Sequence, residues 1–342
     1  MGYTSMAQIG TDGGAAARLR RPSPEQGSPS RTRTQAPSAV MMVRPHRFRP
    51  NQQTAADNHF QAEPDASRSV IAQRAYDEVT RMVEQPRGRG VDVLLLEDEG
   101  TTPPDSVFPN NWITTHPTGL LATFPMYAEN RRRERRADAL ELLQERFHVY
   151  DTVDLSAAEL EGEALEGTGV MIFDHLEMLA YACRSKRLSS RLFDEFCELA
   201  GYTPILFDAT DSDGVPVYHT NVMMALGTDL AVIGASMIRD ESERRAVLGQ
   251  LRDTGREVVE LTEEQIGSFA GNCLEVQGAD GRLLVMSRTG VDSLSRAQRD
   301  RIESRVELLP VDVHTLELAG GSARCMLAGI HLEPRQVHTP RA

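Results

Sequence analysis

The chain has 342 residues, 40% of them apolar and 25% charged, the balance of a soluble globular protein long enough for two ordinary domains. Its net charge of -13 is unevenly spread: the first 40 residues carry five arginines against two acids, a surplus of three positive charges, which leaves -16 on the remainder. So acidic a body excludes nucleic acid and anionic membrane as partners, no apolar run nears the roughly 20 residues that span a bilayer, and Cys183, Cys197, Cys273 and Cys325 lack C-x-x-C spacing, which leaves free thiols in a reducing cytoplasm.

Residues 1–39 are rich in Gly, Ala, Ser, Pro, Thr and Arg and poor in aromatics, a composition that buries too little apolar surface to offset the entropy of ordering. They read as a disordered tail, with an upstream extension ahead of a start at Met41 or Met42 favoured over an organellar transit peptide. From residue 40 a globular domain runs to 335, followed by a short tail, 336–342. Val40 to Arg44 is a strand ended by Pro45. The polar stretch from Asn51 to Gln61 is either a loop over a site or an ordinary connection. Residues 69–84 have the periodicity of an amphipathic helix, and Val91 to Leu96 form a buried strand. A hairpin follows, 112–115 with 120–124 about the Pro117-Thr118-Gly119 turn, then a helix over 131–147 and a strand at 148–150. The arginines of 131–136 read as a solvated helix face. Later units repeat this order: 170–173 with 178–182, helix 189–200, strand 204–207; 222–226 with 230–233, helix 239–253, strand 257–259; 273–277 with 283–287, helix 295–304, strand 306–309.

The order recurs because the sequence repeats. Backward from Cys325, three steps of 53 residues reach Asn272, His219 and Glu166, and a last step of 55 reaches Asn111. Each stop precedes an apolar run. A period of this length marks stacked or circular supersecondary units, which bring equivalent positions to one end of a common axis. The fifth unit, at Cys325, has no helix of its own; the N-terminal helix 69–84 supplies it and closes the ring without an open sheet edge. The fold expected is an α/β propeller of five units.

A thiol with an ordinary pKa of ~8.5 needs a base or a counter-charge to act as a nucleophile at neutral pH. His219 and Glu166, in phase with Cys325, are the general base and the carboxylate that orients it. The adjacent Gly320 and Gly321 let the backbone approach closely and offer amide donors to a developing negative oxygen. No H-E-x-x-H, G-x-x-x-x-G-K-[ST] or G-x-G-x-x-G is present, so neither a metal nor an organic cofactor is called for. His116, His175 and His314 read as structural.

Pro104 to Asn111 (PDSVFPNN), Leu165-Glu166-Gly167-Thr168-Gly169, His219-Thr220-Asn221, Gly271-Asn272-Cys273 and Gly320-Gly321-Ser322 with Cys325-Met326 together resemble the guanidino-group-modifying (pentein) superfamily, over roughly residues 40–335. Met42 to Pro45, the Asn51 to Gln61 stretch and Phe108 to Trp112 look most like its amidinotransferase-family citrulline hydrolases. The resemblance implies hydrolysis of citrulline to ornithine, carbon dioxide and ammonia by Cys325, His219 and Glu166. It also implies substrate contacts from Asp105, Phe108, Asn110, Asn111, Asn221 and Asn272, and a carboxylate-binding Arg187 in the Ser185-Lys186-Arg187 stretch, with Arg184 as runner-up. Deiminases and dimethylargininases carry an aspartate where this chain has Asn111, and arginine deiminases a second one where it has Asn221. Two carboxylates suit a donor-only guanidinium cation, whereas amides match the mixed donors and acceptor of a neutral ureido group. Deiminase or dimethylargininase activity is the alternative; amidino transfer and a non-catalytic binding propeller are more distant. A free amino acid is the partner expected, and the oligomeric state stays open, a homodimer included.

Overall fold

A computed structural model describes residues 33–54, 58–100 and 104–336. In chain order the first unit is β1 (Ala39–Pro45), α1 (Arg68–Gly88) and β2 (Asp92–Asp98), with β2 parallel to β1 through the helical crossover. The second is the hairpin β3 (Ile113–Thr115) and β4 (Leu120–Thr123), then α2 (Ala137–Arg146) and β5 (Asp151–Asp154). The third opens with a single turn, α3 (Gly167–Val170), before β6 (Ile172–Asp174), β7 (Leu179–Cys183), α4 (Ser190–Ala200) and β8 (Thr203–Phe207). The fourth has the same order, with α5 (Thr220–Met223), β9 (Met224–Leu226), β10 (Leu230–Ile233), α6 (Glu241–Asp253) and β11 (Glu257–Glu260). In the fifth, α7 (Glu263–Gly267) precedes β12 (Leu274–Gln277), β13 (Arg282–Ser287), α8 (Arg288–Ser293), α9 (Arg296–Glu303) and β14 (Glu307–Val311). The chain then forms α10 (His314–Glu317) and β15 (Ala328–Ile330).

These strands make five three-stranded sheets in an α/β fold. In every sheet a short strand lies antiparallel to the central one, and a strand reached through a helix lies parallel on its other side. Strand β15 fills the short-strand position beside β1, so the last segment of the chain and the first share a sheet, and α1 is its crossover helix. The short strands neighbour one another, β15 against β3, β6 against β9 and β9 against β12. Among the described residues no helix is long and apolar enough to cross a membrane.

Side-chain caps start half of the helices α1–α10. Ser189 caps α4 by accepting from Leu192 N, Asp240 caps α6 from Glu243 N, and Ser295 with Gln298 forms a capping box on α9. The face of α4 that meets its sheet is Leu192, Phe193, Phe196, Cys197 and Ala200, all buried at helical spacing. Each phenylalanine so buried contributes about 1.5–3 kcal/mol.

Four readings change. The segment expected as the start of a helix, 131–136, is instead largely a 3-10 turn, Glu129–Glu134, and α2 begins only at Ala137. Arg131 and Glu134 in it are buried, not solvated. The strand expected at 148–150 lies at 151–154, because Phe147 bridges Pro334 and His148 N donates to Glu333 O at 2.8 Å, which commits that stretch to the C-terminal segment. The apolar stretches opening at Val170 and Val222 begin as one helical turn each, not as strands. The tail also ends earlier than residue 39. Gln35 and Ala36 are buried, Pro37 O accepts from Gln277 N and Ser38 O from Asp92 N, both at 2.9 Å. The expected disorder of residues 1–32 and the last six residues of the expected tail, 337–342, lie outside the described residues.

Candidate active site

Each residue singled out by the repeat stands at the entry to a short element. Asn111 ends a 3-10 turn before β3, Glu166 and His219 precede the single turns α3 and α5, Asn272 precedes β12, and Cys325 lies shortly before β15. Repetition of the fold converts sequence phase into proximity, and all five are less than 3% exposed. Crowding requires Gly169 here: a Cβ on it would lie 2.4 Å from the Asn111 side chain and 3.0 Å from His219 Nδ1.

Glu166 Oε2 accepts from His219 Nε2 at 2.7 Å. A carboxylate only accepts, so Nε2 carries the hydrogen and Nδ1 keeps its lone pair. Burial pushes His219 down to about 4, against the opposing pull of Glu166, and the imidazole is neutral at physiological pH. Burial alone would raise the Glu166 pKa, yet it is held well below the usual carboxylate range by Arg187, His219 and Arg131. Its other oxygen accepts from Tyr127 N at 3.0 Å. The Cys325 sulfur receives two amide donors, Asn272 Nδ2 at 3.3 Å and Asn221 Nδ2 at 3.4 Å. Asn272 also donates to Asn221 O at 2.9 Å and accepts from Arg324 N at 3.0 Å, tying the thiol's loop to the preceding unit.

A cavity lies beside these groups, lined by Asp105, Phe108, Asn111, Arg187, His219 and Cys325, together with Asn58, Arg131 and Tyr218. Arg187 is 1% exposed; it donates to Glu166 at 3.4 Å and lies over the Tyr218 ring at 5.0 Å. Arg184, the alternative cation, is exposed and pairs with Asp208 at 3.2 Å. Asp105 Oδ2 accepts from Asn51 at 2.8 Å, whereas Asp105 Oδ1 and Asn221 Oδ1 are buried acceptors with no partner among the described residues. Burial raises the Asp105 pKa against the lowering influence of Arg131. The Gly320 amide is not a free donor: its N-H is committed to Glu317 O at 2.8 Å. Asn110 lies behind the wall, where its Oδ1 accepts from the Asn111 amide at 3.1 Å.

Arg131 is the main residue that the sequence did not disclose. It holds Glu134 through two bonds of 2.8 Å, stands 3.6 Å from Asp105 and 3.7 Å from Glu166, and donates from both terminal nitrogens to the Asn111 oxygen at 3.0 Å. Burial by itself would lower its pKa, but the three carboxylates outweigh that and keep it charged. Its only sequence signal was the Arg-x-x-Glu spacing inside an arginine run. Asn58 was within a stretch already noted for its polarity, and its Nδ2 donates to Ala319 O at 3.2 Å over the cavity. Gly320 lies beneath it at φ +76°, where a Cβ would stand 2.4 Å from that amide. Tyr218 donates to Gly320 O at 2.5 Å and faces the His219 ring at 4.5 Å between centroids. Among the described residues no cluster of three or more His, Cys, Asp or Glu is arranged to hold a metal.

Comparison with known proteins agrees with this architecture. Residues 44–332 match the family model described as N,N dimethylarginine dimethylhydrolase, eukaryotic. No curated protein matches the chain. Among solved structures, ArgZ, an arginine dihydrolase from the ornithine-ammonia cycle in Cyanobacteria, aligns at TM-score 0.67 with 16% identity, over 86% of this chain and 41% of that one. The chain thus spans less than half of whole ArgZ, but it covers 96% of the separate N-terminal domain of ArgZ, whose structure was solved covalently bound to a reaction intermediate (TM-score 0.64, 16% identity, 84% of this chain). A mutant of the dimethylarginine enzyme DDAH from Pseudomonas aeruginosa, complexed with citrulline, aligns at TM-score 0.58 with 16% identity, over 85% of this chain and 98% of that one.

Proposed function

The chain belongs to the eukaryotic N,N dimethylarginine dimethylhydrolase family of the pentein superfamily, hydrolases of guanidino C-N bonds, and from that premise we propose that it hydrolyses a free amino acid with a ureido or guanidino head through Cys325, with citrulline as the first substrate. The carrying observation is the 2.7 Å Glu166–His219 bond beside a thiol that two amides hold in place. Five sheets of one pattern, with the last strand of the chain beside the first, support a five-fold α/β propeller as the frame.

In this reaction Cys325 Sγ bonds to the ureido carbon, its proton passes to His219 Nδ1, and His219 returns a proton to the departing ammonia. Water then attacks the resulting thiocarbamate and the thiolate leaves. The carbamic acid so formed breaks into ornithine and carbon dioxide, so one citrulline and one water give ornithine, ammonia and carbon dioxide. Arg187 and Arg131 are the cations proposed for the substrate carboxylate. Asp105 Oδ1 and Asn221 Oδ1 are acceptors suited to its N-H groups, and Phe108 packs along its stem. Asn111 acts through its bonds to Arg131 and Asn110, and Asn110 and Asn272 position their neighbours.

Two features favour a neutral head. Asn111 and Asn221 are amides, and the buried carboxylates Glu134 and Glu166 are already engaged with Arg131 and with His219 and Arg187. A guanidinium would leave water for a pocket whose counter-charges are largely committed. The second reading, dimethylarginine or arginine, is favoured by the family match and by the unpartnered Asp105 oxygen. The cavity, about 20 Å³, has room for one water, so its walls have to part for an amino acid to enter. Parallel incubation with citrulline, arginine and N,N-dimethylarginine, with ornithine, citrulline, ammonia and dimethylamine measured, tests the assignment. Ornithine and ammonia from citrulline at the highest kcat/KM are expected; faster turnover of either cation overturns the citrulline reading and leaves the thiol mechanism standing.

A further inference from the structure

The peptide joining Arg324 to Cys325 separates two cavities. Cys325 lines the one described above; Arg324 lines a second, which shares none of its residues and measures about 40 Å³. That is room for roughly two or three waters or one small ion. Thr114, Thr115, His175 and His331 contribute polar groups to the walls.

The charge in this cavity is unbalanced. Among the described residues four arginines are less than a tenth exposed: Arg131, Arg187, Arg256 and Arg324. The first three each meet a carboxylate, Glu134, Glu166 and Asp174 respectively. Arg324 meets none: its Nη1 donates to Leu327 O at 2.9 Å, and the ionisable groups acting on it are Cys325 and Cys273. A cation taken out of water without a counter-charge is costly, and the groups around this one are neutral. Burial pushes His331 down to about 3 and His175 lower than its ordinary value as well, so neither ring competes with Arg324 for negative charge. The two rings lie 3.9 Å apart, and His331 Nδ1 is a buried nitrogen with no partner among the described residues.

We propose that this second cavity is a binding site for a small monovalent anion of the size of chloride, bromide or nitrate, with the Arg324 guanidinium as its counter-charge. The site lies behind the nucleophile, is walled off from the substrate cavity, and does not depend on what the thiol acts on.

The test is thermal unfolding of the full chain at constant ionic strength, with sodium bromide or sodium nitrate replacing sodium gluconate, whose anion is too large for the cavity. The expected result is a saturable rise in Tm of about 2–4 °C with bromide or nitrate, absent in Arg324→Met and kept in Arg324→Lys. Equal Tm values in bromide and gluconate overturn the proposal, and so does a bromide effect that survives unchanged in Arg324→Met, which would leave Arg324 as a charge serving the thiol alone. Should Arg324→Met fail to fold, chloride-35 line broadening on the unaltered protein decides: broadening that nitrate reverses supports the site, and its absence overturns it.

Discussion

The Glu166–His219 pair makes the chemistry testable residue by residue. Cys325→Ser should abolish turnover with the fold intact by circular dichroism. Glu166→Gln should lower kcat by about 10²–10⁴-fold, since an amide orients the ring without stabilising its protonated form. The pH dependence carries a sign. Burial places His219 near 4, well under the ordinary 6.5, so the base stays unprotonated as pH falls through 6 and 5. The acid limb of kcat/KM should therefore fall near pH 4, and a midpoint at 6.5 would mean that the reacting base is not this buried ring. Glu166 raises the His219 pKa, so Glu166→Gln should move that limb lower still. Asn111→Asp sets a carboxylate where the amide oxygen stands 3.0 Å from Arg131. The added negative charge repels the oxygen of a neutral ureido head and favours a cationic one, so the citrulline-to-arginine ratio of kcat/KM should fall.

At the level of elements, the short turn carrying Arg131 shows why some of the site was legible and some was not. Glu166, His219 and Cys325 were readable because the 53-residue phase is a property of the sequence and the fold preserves it. Helices α4, α6 and α9 were readable because their caps lie within three residues of the groups they satisfy. Arg131 has no such local cause. Its burial is set by Asp105 and Glu166, 26 residues before it and 35 after, and a run of arginines looks solvated until those partners are known. Strand β5 likewise slid because Glu333, far along the chain, claimed His148. The energetic contrast within one turn follows: Glu134→Ala should cost about 3–5 kcal/mol in urea unfolding, because it leaves the Arg131 charge buried and short of a partner. The exposed Arg133→Ala should change stability by less than about 0.5 kcal/mol.

Across the whole molecule, the sheet of β15, β1 and β2 joins segments far apart in the chain, and the residues before β1 add further long-range links. Composition placed them in a tail because Gln, Ala, Pro and Ser carry no apolar period, but their contribution is polar and long-range. Gln35 Nε2 donates to Phe173 O at 2.9 Å and to Leu226 O at 3.3 Å, while its Oε1 accepts from His175 N at 2.9 Å. One side chain thus joins β6, β9 and the turn after β6. Beside it sit His116, His175 and His331, all held below the ordinary 6.5 chiefly by burial, His116 and His331 at about 3. The unfolded chain takes up protons at these rings as pH falls below about 6.5, and the folded one only well below that, at about 3 for His116 and His331, so stability should decline across that window and be complete above it. Removing residues 33–39 strips the cover from this neutral cluster and leaves the carbonyls of Phe173 and Leu226 and the amides of His175, Asp92 and Gln277 without their partners. Each such buried group costs about 1–3 kcal/mol. A chain beginning at Val40 should therefore unfold at markedly lower urea than one beginning at Arg33, or fail to fold. Equal midpoints for the two would mean that the Gln35 bonds contribute nothing net to stability.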